Sequence, residues 1–167
     1  MRFAPFAKFT AIATTLIIST QANAAPVRYG TYYDDLQVGT SCSGNYTCQV
    51  NFSQLPSDRL LMLSKVNCSI NSSQPLATAM VSASTGSGGW SLGRGVSFSL
   101  GPALFAANLY FYSFETDARF LIGQGRYPYI QASTSSFVNA NFQMSCGNAS
   151  PFQVSADCVI VGNLSDD

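Results

Sequence analysis

Residues 152–160 read Phe152-Gln153-Val154-Ser155-Ala156-Asp157-Cys158-Val159-Ile160, with an apolar side chain at every second position. Successive side chains of a β-strand point to opposite faces of the sheet, so this alternation is typical of a strand with one buried face. The run from Val138 to Cys146 alternates in the same way, and the stretch 147–151 between the two contains Gly, Asn, Ser and Pro, which favour a turn. The two runs therefore predict a β-hairpin with one face in the core.

The same period of two recurs along the chain. It is most regular from Trp90 to Leu100, where apolar residues alternate with Ser and Gly. From Leu60 to Ile70 it predicts a half-buried strand whose apolar face carries the even-numbered residues Leu60, Met62, Val66, Cys68 and Ile70. Weaker strands are predicted at 46–52, 76–84, 118–123 and 127–133. The composition of 103–114 also suits a helix, but the aromatic run Tyr110-Phe111-Tyr112 favours a strand.

Short strands separated by clusters of Ser, Gly, Pro and Asn indicate the fold class. About eight to ten such strands in one domain predict an all-β fold, a single-domain antiparallel β-sandwich of the jelly-roll or immunoglobulin-like kind. A closed β-barrel is the alternative.

The first residues have the features of a secretory signal peptide. Arg2 and Lys8 precede a short apolar stretch, and Ala22-Asn23-Ala24 supplies the small residues that a signal peptidase requires. We therefore expect a signal peptide at 1–24, cleavage after Ala24, and one β-sandwich domain over 25–167 in a secreted or periplasmic protein. No apolar stretch reaches the roughly 18 residues of a membrane span, so we do not expect an integral membrane protein.

Composition restricts the function classes. The mature segment has six basic and eight acidic residues, a formal charge of −2, and its basic residues are scattered singly, which argues against a nucleic-acid partner. The chain contains no histidine, so Ser-His-Asp and Cys-His catalysis and histidine metal sites are excluded. We expect no metal site and no cofactor.

Five cysteines in an exported chain favour disulfides. Cys42 and Cys48 are symmetric about Asn45, and a three-residue hairpin loop there would place them directly opposite each other. A hairpin at 147–151 places Cys146 and Cys158 far apart along the strands, which argues against a bridge between them. Cys68 then pairs with Cys158 or Cys146, and we favour Cys158.

Two kinds of motif have a functional and a structural interpretation. Glu115 and Asp117 are spaced as a pair of glycosidase carboxylates could be, but they lie between apolar runs and read as a solvated turn, as do Asp34-Asp35 and Asp166-Asp167. The glycine-rich stretch 86–95 lacks the register of a phosphate loop and is interpreted as a flexible hairpin entry into the Trp90 strand.

Tyrosines give the one positive indication of a binding surface. Tyr29, Tyr32 and Tyr33 cluster near the mature N-terminus, and Tyr127 and Tyr129 flank Pro128. Exposed rings on a β scaffold can stack on sugars or bury into a partner, whereas packing of the sandwich edges is the structural alternative. These five tyrosines are the candidate ligand-binding residues.

Two segments, Leu55–Cys68 and Cys158–Leu164, resemble small uncharacterised exported proteins of Gram-negative bacteria. The resemblance is confined to these two segments. It implies a β-sandwich outside the cytoplasm and provides no functional residue.

We therefore expect a non-enzymatic exported β-sandwich that serves as a binding or envelope-associated module, with a glycan or an envelope protein as partner. The alternative enzyme would be a histidine-free glycan hydrolase using carboxylates among Asp34, Asp35, Glu115 and Asp117. A third hypothesis is a structural subunit that assembles through sheet edges.

Overall fold

The computed structural model describes residues 25–43, 46–134 and 152–166, and in these ranges it contains strands and no helix. The ten strands are β1 (Val27–Tyr29), β2 (Tyr32–Ser43), β3 (Thr47–Asn51), β4 (Leu60–Ser72), β5 (Leu76–Ser84), β6 (Gly95–Phe98), β7 (Leu104–Ala106), β8 (Leu109–Ile122), β9 (Tyr127–Thr134) and β10 (Gln153–Ser165).

The strands form two antiparallel sheets. One has six strands in the order β1-β2-β10-β4-β8-β7, and the other has four in the order β3-β9-β5-β6. Neither sheet closes on itself among the described residues, so the sandwich prediction is confirmed and the barrel alternative is wrong. No described helix is long and apolar enough to cross a membrane.

The hydrophobic core lies between the sheets. In β10 the alternation predicted from the sequence is confirmed, because Val154, Ala156, Cys158 and Ile160 are all buried. The weaker predicted strands 46–52, 76–84 and 127–133 correspond to β3, β5 and β9. The partner run 138–146 of the predicted hairpin, together with Cys146, lies outside the described residues.

Strand β4 differs from its prediction in the first half. Leu61 and Leu63 are fully buried, whereas Met62, expected in the core, is 45 % exposed. Against β10 the register shifts at Leu63 and Lys65, which pair with the adjacent residues Gly162 and Val161, so β4 has one extra residue here and its buried positions change from odd to even numbers before Val66. A single extra residue moves every following side chain to the other face, and alternation read across it gives the wrong face for half of the strand.

The same irregularity brings β10 unusually close to β4. Gly162 lies at this register shift, opposite Leu63. A Cβ atom on Gly162 would overlap the backbone oxygen of Met62 and lie 3.1 Å from the Cα atom of Leu63. Glycine is therefore required at this position by the close approach of two backbones.

The segment from Trp90 to Leu100 is a strand only at β6. Residues 85–94 form a loop, and the side chain of Trp90 is 95 % exposed, so the predicted strand is wrong in its first half. The ambiguous segment 103–114 forms β7 and the beginning of β8, joined by a turn at Ala107 and Asn108. Both turn residues have positive φ, 49° and 62°, which is the geometry of a tight hairpin turn that follows the twist of the strands.

Three acidic pairs were expected in solvated turns. Glu115 and Asp117 lie instead within β8, on its exposed face, because Phe114 and Ala118 on either side are buried and keep the strand continuous. Asp34 and Asp35 lie within β2, and Asp35 is fully buried. Asp166 is exposed at the end of β10 and forms an ion pair with Arg59, with 3.4 Å between Nε and Oδ1, whereas Asp167 lies outside the described residues.

Both favoured disulfides are present. Cys42 and Cys48 are bridged with a Cα separation of 5.5 Å, and Cys68 and Cys158 with 4.2 Å. Cys68 and Cys158 are register partners in β4 and β10. The hairpin argument for Cys42 and Cys48 is wrong, because β2 and β3 belong to different sheets and this bridge joins the two layers. Disulfides persist in oxidising compartments, so the two bridges indicate an environment outside the cytoplasm.

Candidate functional site

The core-facing side of β2 is polar where β3 approaches it. Tyr33, Asp35 and Gln37 point inward at successive core positions and are buried. A buried carboxylate needs hydrogen-bond donors to offset the loss of water. Asp35 accepts three hydrogen bonds, from the Tyr33 hydroxyl at 3.2 Å, from Gln37 Nε2 at 3.0 Å and from the backbone N–H of Ser53 at 2.7 Å.

These hydrogen bonds join the two layers. Ser53 follows β3 of the four-stranded sheet, whereas Asp35 belongs to the six-stranded sheet. Burial of Tyr33, together with the negative charge of Asp35, raises the pKa of the Tyr33 hydroxyl above its ordinary value of 10.0. The hydroxyl therefore stays protonated and keeps donating to Asp35 throughout the physiological range.

An open groove of about 270 Å³ lies beside this network, and we call it the amide groove. It is lined by Gln37, Thr40, Gln49, Asn51, Phe52, Ser53 and Ser87. The lining residues are uncharged, and the nearby charge of Asp35 is buried and hydrogen-bonded. The groove therefore presents amides and hydroxyls without a net charge.

Each amide in the groove is held by one atom and leaves the other available. Gln37 donates from Nε2 to Asp35, Gln49 donates from Nε2 to the carbonyl of Gly89 at 3.3 Å, and Asn51 accepts at Oδ1 from the N–H of Gly88 at 3.1 Å. Within the described residues, Oε1 of Gln37, Oε1 of Gln49 and Nδ2 of Asn51 have no hydrogen-bond partner. Fixed side chains with two spare acceptors and one spare donor are suited to ligand hydroxyl groups, which both accept and donate.

The loop 85–94 forms one wall of the groove through Ser87 and is held in place by short hydrogen bonds. The hydroxyl of Ser84 donates to the carbonyl of Gly86 at 2.6 Å, and that of Ser82 donates to the carbonyl of Arg94 at 2.6 Å. The backbone N–H of Leu92 donates to the carbonyl of Ala83 at 3.1 Å. The loop is thus anchored to β5 at both ends, which differs from the flexible entry predicted from its glycines.

Trp90 stands on this anchored loop, directly after Gly89. It is the only tryptophan of the chain and its side chain is 95 % exposed. Tryptophan is highly buried on average, so a fully exposed ring is the informative exception. An exposed flat ring on the loop that contributes Ser87 to a groove of hydrogen-bonding groups has the composition of a carbohydrate-binding site.

The five candidate tyrosines do not form one surface. Tyr33 and Tyr129 are buried, so neither can present a ring to a ligand, and Tyr127 is half-buried. Tyr29 and Tyr32 are register partners in β1 and β2 and are 85 % and 43 % exposed. With Leu36 and Val38 they form an exposed apolar strip on the outer face of the six-stranded sheet.

Of the carboxylates proposed for a hydrolase, only Glu115 and Asp117 share a face, where two strand positions place them about 7 Å apart on the open surface of β8. Asp35 faces the core, whereas Glu115 and Asp117 lie on the exposed face of β8, and Glu115 accepts from Lys65 Nζ at 2.6 Å. In the strand registers Asp34 lies opposite Val161, Val161 opposite Lys65, and Lys65 opposite Asp117. Asp34 and Asp117 are therefore three strand spacings apart. Three spacings amount to about 14 Å, which exceeds the roughly 6.5–9.5 Å between inverting carboxylates.

Sequence reasoning missed the amide groove and the role of Trp90. The amide groove combines residues from β2, β3 and the loop 85–94, and their proximity depends on the packing of two sheets. For Trp90 a signal was present, because three of the four residues before it are glycines and a run of glycines argues against a strand. The described residues contain no group of three or more His, Cys, Asp or Glu side chains that could hold a metal ion.

Comparison with known proteins gives no relative on which to base a role for this site. No family model, no curated protein and no solved structure matches the chain.

Proposed function

We propose that the chain is an exported, non-enzymatic binding module that recognises neutral carbohydrate at the amide groove. The observation that carries the proposal is the position of Trp90, exposed on a loop that Gln49 and Asn51 of the groove hold in place. Sugar hydroxyls would exchange hydrogen bonds with the amides, and a sugar ring would stack on the indole.

The uncharged lining supports a neutral ligand over an acidic or basic one. A charged ligand would be taken out of water without an opposite charge to pair with, which costs several kcal/mol by order of magnitude. The hydroxyl groups of a neutral sugar lose less free energy on desolvation than a charged group does, and they regain it in hydrogen bonds with the groove.

The proposal includes export with removal of residues 1–24. The two disulfides support it because they require an oxidising compartment. Intact-mass measurement of the protein recovered from the periplasm or medium should show a chain beginning at Ala25 that gains the mass of four hydrogens on reduction. Recovery of the intact N-terminus would contradict this part of the proposal.

The test of the binding function begins with a neutral glycan array and continues with calorimetry on the best ligand. Trp90→Ala should weaken binding about fivefold or more, since stacking on an exposed ring contributes on the order of 1 kcal/mol or more. Thr40→Val, which removes one groove hydroxyl and keeps the shape, should weaken it by about threefold.

Tyr29→Ala provides the matched control. It removes an aromatic ring of similar exposure on the outer face of the six-stranded sheet, so binding at the amide groove should be unchanged. Loss of binding in Tyr29→Ala with retention in Trp90→Ala would transfer the site to the tyrosine strip and contradict the proposal. Absence of any bound neutral glycan would contradict it as well.

The assembly hypothesis receives less support from the structure. Beyond its pairing with β7 at Leu109–Phe111, β8 has no described partner on its outer edge. Its exposed face carries the charged side chains of Glu115, Asp117 and Arg119. Charged residues on an edge strand oppose pairing with another chain, so we favour ligand binding over assembly through this edge.

A further inference from the structure

A second groove lies on the opposite side of the sandwich, where the loop 85–94 meets β8. The main part, of about 650 Å³, is lined by residues of β4 and β8 together with Arg94. A smaller cavity of about 110 Å³ adjoins it and shares Arg94, Phe120 and Leu121 with it. We call the two together the arginine groove.

Half of the basic residues of the mature segment converge here. Arg94 and Arg119 line the main part, and Arg94 and Arg126 line the smaller one. Among the described residues none of these three guanidinium groups forms an ion pair, whereas Arg59 and Lys65 each have an acidic partner. The one carboxylate in the lining, Asp117, lies opposite Lys65 in the register of β4 and β8. The groove therefore has a surplus of positive charge in a chain that is otherwise slightly acidic.

The floor between the arginines is apolar and partly open to solvent. Met62 and Leu121 are register partners in β4 and β8 and are 45 % and 42 % exposed. Leu92, at the smaller cavity, is 48 % exposed. Met62 reaches this surface because of the register shift in β4 described above.

We propose that the arginine groove binds an anionic amphiphile, a molecule with a carboxylate or phosphate headgroup and an acyl chain. Guanidinium groups pair with carboxylate and phosphate oxygens through two parallel hydrogen bonds, which fits the headgroup to Arg94 and its neighbours. The chain covers Met62, Leu92 and Leu121 and removes their apolar surface from water. This site is separate from the amide groove and does not depend on the carbohydrate proposal.

Calorimetry with dodecyl phosphate, dodecanoate, inorganic phosphate and dodecanol tests the proposal, with the first two below their critical micelle concentrations. At least one of the two anionic amphiphiles should bind, and the tighter one identifies the headgroup. Inorganic phosphate and dodecanol should each bind about tenfold more weakly or worse, since each lacks one half of the recognised chemistry. Equal affinity for inorganic phosphate, or binding of neither amphiphile, would overturn the proposal.

Substitutions locate the site. Arg94→Gln and Arg119→Gln should each weaken binding about tenfold, because a hydrogen-bonded charge contributes on the order of 1.5 kcal/mol or more. Leu121→Ser should weaken it several-fold. Arg28→Gln is the matched control, since Arg28 is an exposed arginine of β1 that does not line the groove.

Two outcomes of these measurements would contradict the assignment. An equal loss of amphiphile affinity in Arg28→Gln and Arg94→Gln would indicate that net charge, and not the arginine groove, determines binding. Binding to anionic phospholipid vesicles without binding to the monomeric amphiphiles would indicate a membrane surface as the partner. Trp90→Ala should leave amphiphile binding unchanged, so failure of the carbohydrate proposal and failure of this one are distinguishable.

Discussion

The two open sides of the sandwich are held together by different forces. Where β2 meets β3, the sheets are joined by a disulfide between Cys42 and Cys48 and by the hydrogen bonds of Asp35. Where β6 meets β8, they are joined by apolar packing, with the rings of Phe98 and Phe114 5.5 Å apart. Each side carries one of the two proposed sites.

The difference matters for the kind of ligand each side can recognise. Hydrogen bonds are directional, so the side held by Asp35 fixes Gln37 and Ser53 in defined positions next to the amide groove. Apolar packing depends on area and shape and has no preferred direction. A groove built on it suits an acyl chain, which needs only a covering surface, while the arginines supply the directional part.

The largest expected effect comes from removing the carboxylate on the polar side. Asp35→Ala leaves the Tyr33 hydroxyl, Gln37 Nε2 and the Ser53 N–H without their acceptor, and we expect a loss of about 3 kcal/mol or more in the free energy of unfolding. Urea unfolding followed by circular dichroism measures it.

A matched substitution on the apolar side serves as the control. Phe98→Leu replaces one buried apolar side chain by another and should cost about 1–1.5 kcal/mol, because packing tolerates a small change of shape. A cost for Asp35→Ala no greater than that for Phe98→Leu would show that the Asp35 network contributes little to joining the sheets.

A smaller effect, with its own pH dependence, is expected for Tyr33. Tyr33→Phe removes one hydrogen bond to Asp35 and should cost about 1 kcal/mol at neutral pH. Because the pKa of Tyr33 is raised in the folded state, its unfolded form releases the proton first, and wild-type stability should fall as the pH rises above about 10.

Comparison of the two proteins across that range isolates the contribution of Tyr33. The stability of Tyr33→Phe should decline less steeply above pH 10 than that of the wild type. Parallel declines in the two proteins would assign the alkaline loss to other groups.

Much of the fold was predictable from local pattern. The alternation in β10 gives its buried face correctly, and both favoured bridges, Cys42–Cys48 and Cys68–Cys158, are present. The argument for the first bridge was nevertheless wrong, because it assumed a hairpin and the two strands lie in different sheets. A short connection limits the distance between two cysteines whichever sheets their strands join, and for that reason the pairing survives the error.

Less of the two candidate sites could be predicted from the sequence. The prediction for Met62 is wrong because the register shift in β4 has no clear signature in the sequence, and the exposure of Met62 contributes to the floor of the arginine groove. The strand predicted at Trp90 is wrong because the alternation of apolar residues in the sequence continues into a segment that forms a glycine-rich loop. The turn predicted at Asp34-Asp35 is wrong because Asp35 is a buried acid within a strand. A buried carboxylate is rare and occurs only where hydrogen-bond donors satisfy its charge, and the sequence does not show those donors.

The sequence by itself determined the class of fold and many of the strands with their buried faces, because alternation with a period of two is a local property of the chain, whereas β1 and β2 were not predicted. The tertiary structure alone decided which strands share a sheet, where the register shifts, and which distant residues meet at the two open sides. Gln37 meets Asn51 only because two sheets pack face to face, and Asn51 meets Gly88 only because β9 places β3 and β5 in one sheet. No interaction between neighbours in sequence specifies either contact.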